Sequence, residues 1–365
     1  MKNKIGLYIH IPFCAKKCPY CDFYSAVFNN TLAEDYTQAL QREIKQWGGN
    51  INRPIDTIYL GGGTPSLLND RLSPILETVR ANFKVEENAE ITLEINPQDN
   101  IEAVLKNAKK AGINRLSIGA QSGSDTELSA LGRTHTADDT KKAVETARNL
   151  GFSNISLDLM IGLPDSTIES LKQNLDFLLS LNPEHISAYI LKIEEKTLFY
   201  KTQDTLNLPN EDEICEQYLF MCRKLQNNGY DHYEISNFAL PGYQAQHNSA
   251  YWEHVPYIGL GPGAHSFLDG RRRWNKEDLS AYVEAGRADD FSALQAGEVL
   301  DKEQRTMEKI MLGLRTSKGV REDFLRENCS SSTLEEALKN GNLVPSAGSC
   351  LRIPENRFFI SDNII

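Results

Sequence analysis

The sequence lacks most of the features that mark secreted, membrane and nucleic-acid-binding proteins. Its 365 residues contain no apolar run long enough to cross a bilayer, which takes about 20 residues. A secretory apolar core is missing as well, because Pro12 and Cys14 interrupt the first apolar stretch. The formal net charge of -11 disfavours a basic surface for nucleic acid. We expect a cytoplasmic protein that binds no nucleic acid.

A disulfide framework is also absent. The seven cysteines are an odd number, and four of them are scattered at Cys215, Cys222, Cys329 and Cys350. This distribution is typical of reduced thiols in the cytosol. Cys215 and Cys222 fall within one helical pattern, where small core residues are the expected reading. Internal repeats and low-complexity segments are not apparent beyond the alternation of strands and helices.

The sequence does contain a thiol cluster near its start, Cys14-Ala-Lys-Lys-Cys18-Pro-Tyr-Cys21. Structural zinc sites and most iron–sulfur clusters are closed by four protein ligands, but this spacing supplies three. Three ligands to a four-iron cluster leave one iron open to a substrate or cofactor. The spacing C-x-x-x-C-x-x-C is the radical S-adenosylmethionine (SAM) signature. The alternative is three unrelated structural cysteines.

Strands and helices alternate over the first 200 residues. Short β-branched runs separated by segments of helical periodicity are typical of βαβ units and a parallel sheet. Right-handed crossovers curl such a sheet, and six repeats are too few for a closed eight-stranded barrel, so we predict an open, partial (β/α)6 barrel. The predicted strands are 5–11, 56–60, 90–95, 114–119, 154–161 and 185–191, and the predicted helices are 31–48, 69–83, 99–111, 136–150, 166–181 and 211–228.

Unusual residues collect at the predicted carboxyl ends of these strands, where parallel α/β barrels carry their chemistry. Gly61-Gly-Gly-Thr-Pro65 follows the second strand, and consecutive glycines let a backbone approach a ligand closely. Glu94 and Asp158 are carboxylates in otherwise apolar strands, where a charge must be paired or face a ligand. Gln121 and Arg133 add polar candidates. The alternatives are outward or edge positions for the carboxylates and a surface position for the arginine.

The pattern changes after residue 230. Irregular strands are followed by helices, and apolar pairs near 343–344 and 358–360 predict a terminal β-wing. We expect a barrel over 1–230, a β-rich extension over 231–276, and a smaller, mostly helical, winged-helix-like domain over 277–365. This tail lacks the basic stripe of DNA-binding winged helices, so a packing or lid role is favoured.

A second group of candidates lies outside the repeats. His247-Asn-Ser-Ala-Tyr251-Trp252 places an imidazole beside flat rings, a combination that can hold a porphyrin. The run Arg271–Arg273 can pair with carboxylates such as porphyrin propionates. From composition alone the alternatives are favoured, namely a polar turn before packed rings and a solvated hairpin turn. His10 is expected to line the site on the first strand.

Taken together, these residues resemble the oxygen-independent coproporphyrinogen oxidase branch of the radical SAM superfamily. The resemblance covers essentially the whole chain. The matching segments are Tyr8–Cys14, Leu60–Pro65, Leu116–Gln121, Asp158–Pro164 and Gly259–Ser266.

Two features make the chain similar to the haem chaperones of that branch rather than to its oxidases. The oxidase motif has a further cysteine two positions after the third ligand, where this chain has Phe23. The segment His247–Trp252 matches the H-N-x-x-Y-W motif of the chaperones. The resemblance implies a protein of porphyrin metabolism that binds haem and delivers it to acceptor haem proteins. The alternative is a coproporphyrinogen III oxidase that decarboxylates propionates through a SAM-derived radical, so whether the protein is an enzyme stays open.

The resemblance also implies cofactors, partners and site residues. It implies a 4Fe-4S cluster on Cys14, Cys18 and Cys21, SAM beside it, and haem as cargo. The implied partners are acceptors such as respiratory enzymes, an electron donor for the cluster and a second copy in a homodimer, with peripheral membrane contact through the acceptors. The resemblance does not assign the haem ligand. We predict His247 from its imidazole and neighbouring rings, with another histidine or a cysteine as the alternative. The implied SAM contacts are Tyr8, Tyr20, Gly62, Gly63, Thr64, Glu94, Gln121, Arg133 and Asp158, with further contacts near Lys192 and 259–265.

Overall fold

Strands and helices alternate through the first part of the chain, in a computed structural model that describes residues 4–97 and 100–365. The strands are β1 (Ile5–Ile11), β2 (Phe13–Cys14), β3 (Ala26–Val27), β4 (Ile55–Gly62), β5 (Val85–Ile95), β6 (Arg115–Gln121), β7 (Ile155–Ile161) and β8 (His185–Ile190). The helices are α1 (Asn30–Gly48), α2 (Leu72–Asn82), α3 (Ile101–Ala111), α4 (Asp125–Ala130), α5 (Ala137–Asn149), α6 (Ile168–Ser180), α7 (Leu198–Thr202) and α8 (Glu211–Asn227).

Six of these strands form one curved parallel sheet in the order β1-β4-β5-β6-β7-β8. Each crossover between neighbouring strands contains a helix, as parallel pairing requires. The outer edges of β1 and β8 pair with strands from later in the chain rather than with each other. The open, partial (β/α)6 barrel predicted from the sequence is therefore confirmed.

The burial pattern of β1 explains how the barrel presents polar groups to its concave side. Ile5, Leu7, Ile9 and Ile11 are fully buried in the apolar core. Successive side chains of a strand point to opposite faces, so Tyr8 and its neighbours of the same parity face the interior of the barrel. The same alternation carries Glu94 on β5 and Asp158 on β7 to that side.

Local chemistry sets the helix ends. Thr136, Thr167 and Asn210 cap α5, α6 and α8 with reciprocal capping boxes. The predicted helix over 69–83 is shorter in the structure, because residues up to Arg71 belong to the 3-10 segment Pro65–Arg71, which is kinked at Asn69 with a φ of 47°. Residue 99, the predicted start of the third helix, lies outside the described residues.

Later strands extend the barrel sheet at both edges. One edge continues through an antiparallel hairpin beyond β8, and the other through a strand parallel to β1 followed by antiparallel strands. The sheet runs to Val299 and so passes the expected boundary at 276. These strands are β9 (Asp231–Glu234), β10 (Asn237–Ala239), β11 (Tyr257–Leu260), β12 (His265–Leu268), β13 (Arg271–Asn275) and β14 (Gln295–Val299).

A small three-stranded sheet and several helices form the C-terminal part. No helix in the two described ranges is both long and apolar enough to cross a membrane. The helices are α9 (Gln246–Trp252), α10 (Leu279–Ala288), α11 (Lys302–Leu314), α12 (Glu322–Asn328), α13 (Ser331–Lys339) and α14 (Ser361–Ile364), and the strands are β15 (Val320–Arg321), β16 (Val344–Ser346) and β17 (Cys350–Arg352).

The wing forms from a different pair of segments than the sequence predicts. β16 pairs with β17, whereas the apolar residues 358–360 belong to the 3-10 segment Glu355–Ile360. Phe358 is fully buried, and its ring meets that of His232 edge-on at 5.1 Å. These apolar residues therefore anchor the chain end against β9 instead of pairing in the wing.

A buried carboxylate joins α1 to the C-terminal half. Glu43 Oε2 accepts hydrogen bonds from the Gly261 N–H at 2.8 Å and the Tyr282 hydroxyl at 2.6 Å. Its Oε1 accepts one from Asn275 Nδ2 at 2.7 Å. Burial raises the pKa of Glu43, while its donors act in the opposite direction. The contact fixes β11, β13 and α10 against the first helix of the barrel.

Candidate functional site

The carboxyl ends of the barrel strands open onto a cavity of about 380 Å3. The cysteine loop forms one wall, and the ends of β4 to β8 form the others. Of the residues that the sequence assigns to the site, Tyr8, His10, His247 and the segment 259–265 do not line this cavity. Those that do are Cys14, Cys18, Tyr20, Cys21, Gly62, Gly63, Thr64, Glu94, Gln121, Arg133, Asp158 and Lys192.

Two of the three cysteines of the loop meet hydrogen-bond donors from the barrel. The Thr64 hydroxyl lies 3.8 Å from Cys14 Sγ, and Arg133 Nη1 lies 3.7 Å from Cys18 Sγ. Burial raises the pKa of the Cys14 and Cys21 thiols. Hydrogen bonds to sulfur are among the interactions that proteins use to tune thiolate-bound clusters.

The donor set is three thiols from one loop that line the first cavity. Within residues 4–97 and 100–365, no three His, Cys, Asp or Glu side chains are grouped closely enough to hold one metal ion. A four-iron cluster takes each thiolate on a different iron. Three thiols facing one cavity fit such a cluster with an open iron.

Both predicted carboxylates face the cavity, and the outward alternative is excluded. Glu94 accepts hydrogen bonds from the Tyr59 hydroxyl at 2.7 Å and the Gly62 N–H at 3.1 Å. Asp158 Oδ1 accepts one from the Ser117 hydroxyl at 3.1 Å. Burial, together with the charge of Glu94, raises the pKa of Asp158 to about 7. Burial also raises the pKa of Glu94. A cationic ligand would stabilise the ionised form of both groups.

Arg133 belongs to a network rather than to the surface. Its Nη2 donates to Asn96 Oδ1 at 2.8 Å and to the Gly119 carbonyl at 3.0 Å. Asn96 Nδ2 in turn donates to Thr64 Oγ1 at 3.0 Å. Neither Asn96 nor Ser117 is predicted from the sequence as a site residue. The available signal was their position on or just after a strand that carries Glu94 or leads to Gln121.

The glycines after β4 are required by the protein's own packing as well. Gly62 has a φ of 114°, and a Cβ there would overlap the His10 ring. A Cβ on Gly63 would overlap the Phe13 backbone. Gln121 adopts a left-handed φ of 66° at the end of β6, a strained conformation of the kind found at binding sites.

A second cavity, of about 520 Å3, lies beside the first, between the barrel and its extension. Asp22 and Phe23 line both cavities. Tyr8 and His10 line the second one, with the Tyr8 hydroxyl 3.0 Å from His10 Nδ1. Phe23 is 64% exposed, so its ring is available to a ligand in either cavity.

The arginine run forms strand β13 and is not the solvated turn favoured by composition. Arg272 lines the second cavity, and its Nη1 lies 3.3 Å from Glu298 Oε1. Its Nη2 pairs with Glu308. Arg271 and Arg273 are exposed.

His247 is buried at the amino end of α9 and lines neither cavity. Its Nδ1 lies 2.8 Å from Thr57 Oγ1, and its Nε2 lies 2.8 Å from the Tyr251 hydroxyl. The ring stacks on Tyr59 at 5.3 Å, and burial lowers the pKa of His247 to about 3. Both ring nitrogens are thus engaged within the protein, as in the hydrogen-bonding alternative. Iron ligation by His247 stays a prediction, and this geometry does not favour it.

Sequence comparisons place this site in a known family. Residues 8–178 match the family model of the radical SAM superfamily. The chain is 38% identical to the heme chaperone HemW of Bacillus subtilis, over 86% of this chain and 84% of that protein. It is 41% identical to HemW of Escherichia coli, over 73% of this chain and 72% of that protein.

This chain belongs to the HemW family. Membership in a radical SAM family implies a 4Fe-4S cluster and SAM as cofactors. The solved structure of coproporphyrinogen III oxidase (HemN) from Escherichia coli, a radical SAM enzyme, is similar with a TM-score of 0.84. That match covers 99% of this chain and 89% of the other at 22% sequence identity. It confirms the fold of this HemW-family protein.

Proposed function

We propose that this protein binds haem and delivers it to acceptor haem proteins, and that it carries a 4Fe-4S cluster with SAM beside it. The observation that carries the proposal is the pair of adjoining cavities. One gathers three thiols and the buried carboxylates of Glu94 and Asp158, and the other is walled largely by aromatic and histidine rings. The first has the chemistry of a cluster and a cationic cofactor, and the second suits a flat, largely apolar ligand. The similar HemW proteins are named heme chaperones, which supports haem as the cargo.

In this proposal Cys14, Cys18 and Cys21 hold the cluster. When bound, the cluster and SAM supply one-electron chemistry, while the protein supplies binding and orientation. Arg133, fixed by Asn96, directs positive charge toward the thiolates and toward a ligand carboxylate. The half-buried thiols of the loop and the open side of the cavity leave room for a ligand between them.

The remaining residues of the first cavity would contact SAM. Glu94 and Asp158 offer negative charge to its ammonium and sulfonium groups, because a buried carboxylate with a raised pKa gains from a nearby cation. Gly62, Gly63 and Thr64 present backbone at close range, which bulky residues would prevent. Tyr20 and Gln121 complete the contacts. Tyr8 lies in the second cavity and, in this proposal, contacts the cargo instead.

Coproporphyrinogen III oxidase activity is the competing function. The residue that separates the two is Phe23, which stands where the oxidase motif has a further cysteine. An apolar ring on the wall shared by both cavities can shield a bound porphyrin, but it offers no sulfur to the reaction.

The decisive experiment joins two assays on one preparation. The protein is reconstituted anaerobically with iron and sulfide, titrated with haemin while the Soret band is followed, and then mixed with apo-myoglobin. The same preparation is incubated with SAM, a reductant and coproporphyrinogen III. We expect saturable haem binding, transfer to the globin and no carbon dioxide release. Decarboxylation without haem binding would establish the oxidase instead.

Partners and domain division belong to the same proposal. The acceptors would be haem proteins such as respiratory enzymes, reached in the cytoplasm or at the membrane surface, and a reductase would supply electrons to the cluster. We propose that residues 1–230 with the extension 231–276 hold the cofactors, and that 277–365 packs against them. A homodimer is tested by light scattering of the reconstituted protein with and without haem.

A further inference from the structure

We infer that the second cavity is the haem site and that the imidazole of His265 binds the haem iron. This inference rests on the proposed haem-binding function and assigns its site and ligand.

The shape and walls of the second cavity suit a macrocycle. Its volume of about 520 Å3 falls within the roughly 300–1,000 Å3 typical of small-molecule sites. Tyr8, Tyr251, Tyr257 and Phe267 contribute rings to its wall. Tyr251 and Tyr257 meet edge-on, with ring centroids 4.6 Å apart, so their faces are held at a fixed angle. Aromatic faces of this kind stack favourably on a flat porphyrin.

An iron ligand needs a ring nitrogen with an available lone pair and a place on the cavity wall, and the histidines differ in how many ring nitrogens are already bonded within the protein. The chain has seven histidines. Of these, His265 is the one whose ring forms no hydrogen bond to any described residue. Each of the other rings has at least one nitrogen hydrogen-bonded within the protein, at His10, His135, His185, His232, His247 and His254. On the wall of the second cavity, His10 has both nitrogens bonded, and His254 has its Nε2 bonded to Glu308.

His265 is exposed and has one aromatic neighbour. The imidazole stacks on Trp274, with centroids 5.8 Å apart and planes 20° from parallel. It lies on the wall of the second cavity at the start of β12. Burial and the charge of Arg272 lower the pKa of His265, while Glu277 acts in the opposite direction.

The glycine-rich turn before His265 explains its placement. A Cβ on Gly259 would overlap the His265 carbonyl, so the turn can fold back closely only with glycine there. Gly261 and Gly263 have φ values of 98° and 77°, which other residues rarely adopt. The turn therefore fixes the backbone of His265 at the cavity wall.

The charges around the cavity are compatible with this ligand. Glu308 is paired with Arg272 and lies 3.1 Å from His254 Nε2, so its charge is largely compensated. Glu277 and Asp22 are the other acidic groups on the wall. Haem iron carries positive charge, and the propionates of a bound haem can extend through the open side of the cavity into water.

The experiment compares histidine variants of the full-length, reconstituted protein. Haemin is titrated into the wild type, His265→Ala, His254→Ala and His247→Ala, and affinity, Soret position and the electron paramagnetic resonance of the ferric haem are recorded. We expect His265→Ala to weaken haem binding at least about tenfold and to lose the imidazole-type spectrum. Free imidazole should restore that spectrum, because it can enter the space left by the side chain.

A cavity-filling pair tests the site without touching the ligand. Leu312 lines the second cavity, whereas Met307, on the same helix, is 54% exposed and does not line it. We expect Leu312→Trp to lower haem affinity and Met307→Trp to leave it unchanged, with the iron–sulfur absorbance equal in both.

Three outcomes would overturn the inference, and a fourth concerns the proposed function. Wild-type affinity and spectrum in His265→Ala, or loss of haem binding only in a folded His247→Ala, would move the iron ligand elsewhere. Unchanged haem affinity in Leu312→Trp would show that haem does not bind in the second cavity. Absence of haem binding by the wild type would instead contradict the proposed function itself.

Discussion

At the scale of single residues, the first cavity depends on charge held away from water. Asp158 and Glu94 keep carboxylates inside the barrel, and their hydrogen bonds do not fully compensate the burial that raises their pKa. Such groups are costly to the fold unless a ligand stabilises them. They are therefore informative about function, because their removal affects stability and binding in opposite directions.

The assignment of the three loop cysteines as cluster ligands predicts that replacing any one of them abolishes the cluster. Alanine at Cys14, Cys18 or Cys21 should abolish the iron content and visible charge-transfer absorbance of the anaerobically reconstituted protein, since two thiolates hold a four-iron cluster poorly. Cys350→Ala, in the wing, is the matched control and should retain both. A full cluster in all three loop variants would contradict the assignment.

Asp158→Asn should stabilise the apo-protein and weaken SAM binding. The folded-state pKa of about 7 exceeds the usual 3.8, so the folded form binds its proton more tightly than the unfolded chain. Stability from this group is therefore present at acidic pH and falls as the pH rises from about 4 to 7. At pH 8 we expect the variant to gain on the order of 2 kcal/mol in unfolding free energy, and the gain should vanish toward pH 4.

Urea titrations across this pH range, with calorimetry of SAM binding, test the Asp158 prediction. Asp204→Asn, at an exposed position, is the matched control and should change neither quantity. Unchanged SAM affinity with an intact cluster would remove Asp158 from the site.

At the scale of elements, the barrel is held to its extension by a few buried polar contacts. α1 meets α10 closely enough that a Cβ on Gly286 would overlap Ala39. Glu90 on β5 accepts the Gln246 and His247 backbone N–H groups at 3.1 and 3.0 Å, which docks the start of α9 on the barrel. The predicted elements mostly form, but these contacts decide where the later ones lie.

Glu43→Ala should destabilise the joint between α1 and the C-terminal half. Removal of the carboxylate leaves buried donors from Asn275, Tyr282 and Gly261 without their acceptor, so we expect a loss of about 3 kcal/mol in unfolding free energy. Glu34→Ala, on an exposed turn of the same helix, should cost much less. Both variants are measured by urea unfolding. Equal losses of unfolding free energy in Glu43→Ala and Glu34→Ala would show that the buried contact does not stabilise this joint.

At the scale of the whole molecule, two cavities share a wall, and this predicts coupling between their ligands. Because Asp22 and Phe23 border both, SAM should change haem affinity, and haem should change SAM affinity by the same factor. Phe23→Ala should reduce this coupling while each ligand still binds alone. Val27→Ala is the control, since Val27 is 69% exposed and lines neither cavity. The coupling is measured by titrating haem with and without SAM, and SAM with and without haem. Unchanged coupling in Phe23→Ala would show that the Phe23 ring does not transmit it.

The sequence by itself determined the barrel and most of the first cavity. Strand periodicity and the spacing of Cys14, Cys18 and Cys21 are local patterns, and parallel strands bring their carboxyl ends to one edge whatever the details of packing. Glu94, Asp158 and the glycine loop can therefore be assigned to one site from the order of residues alone. Their hydrogen-bond partners Asn96 and Ser117 carry no comparable local signal.

Only the tertiary structure decided what the histidines do. His247 bonds to Thr57 across 190 positions of chain, and no local pattern reports a contact so distant in sequence. The same holds for Tyr8 and His10, which share one face of β1 and both line the second cavity. Side-chain burial and hydrogen-bond satisfaction depend on how elements from both halves pack, and this packing engages the ring of His247 while leaving that of His265 available.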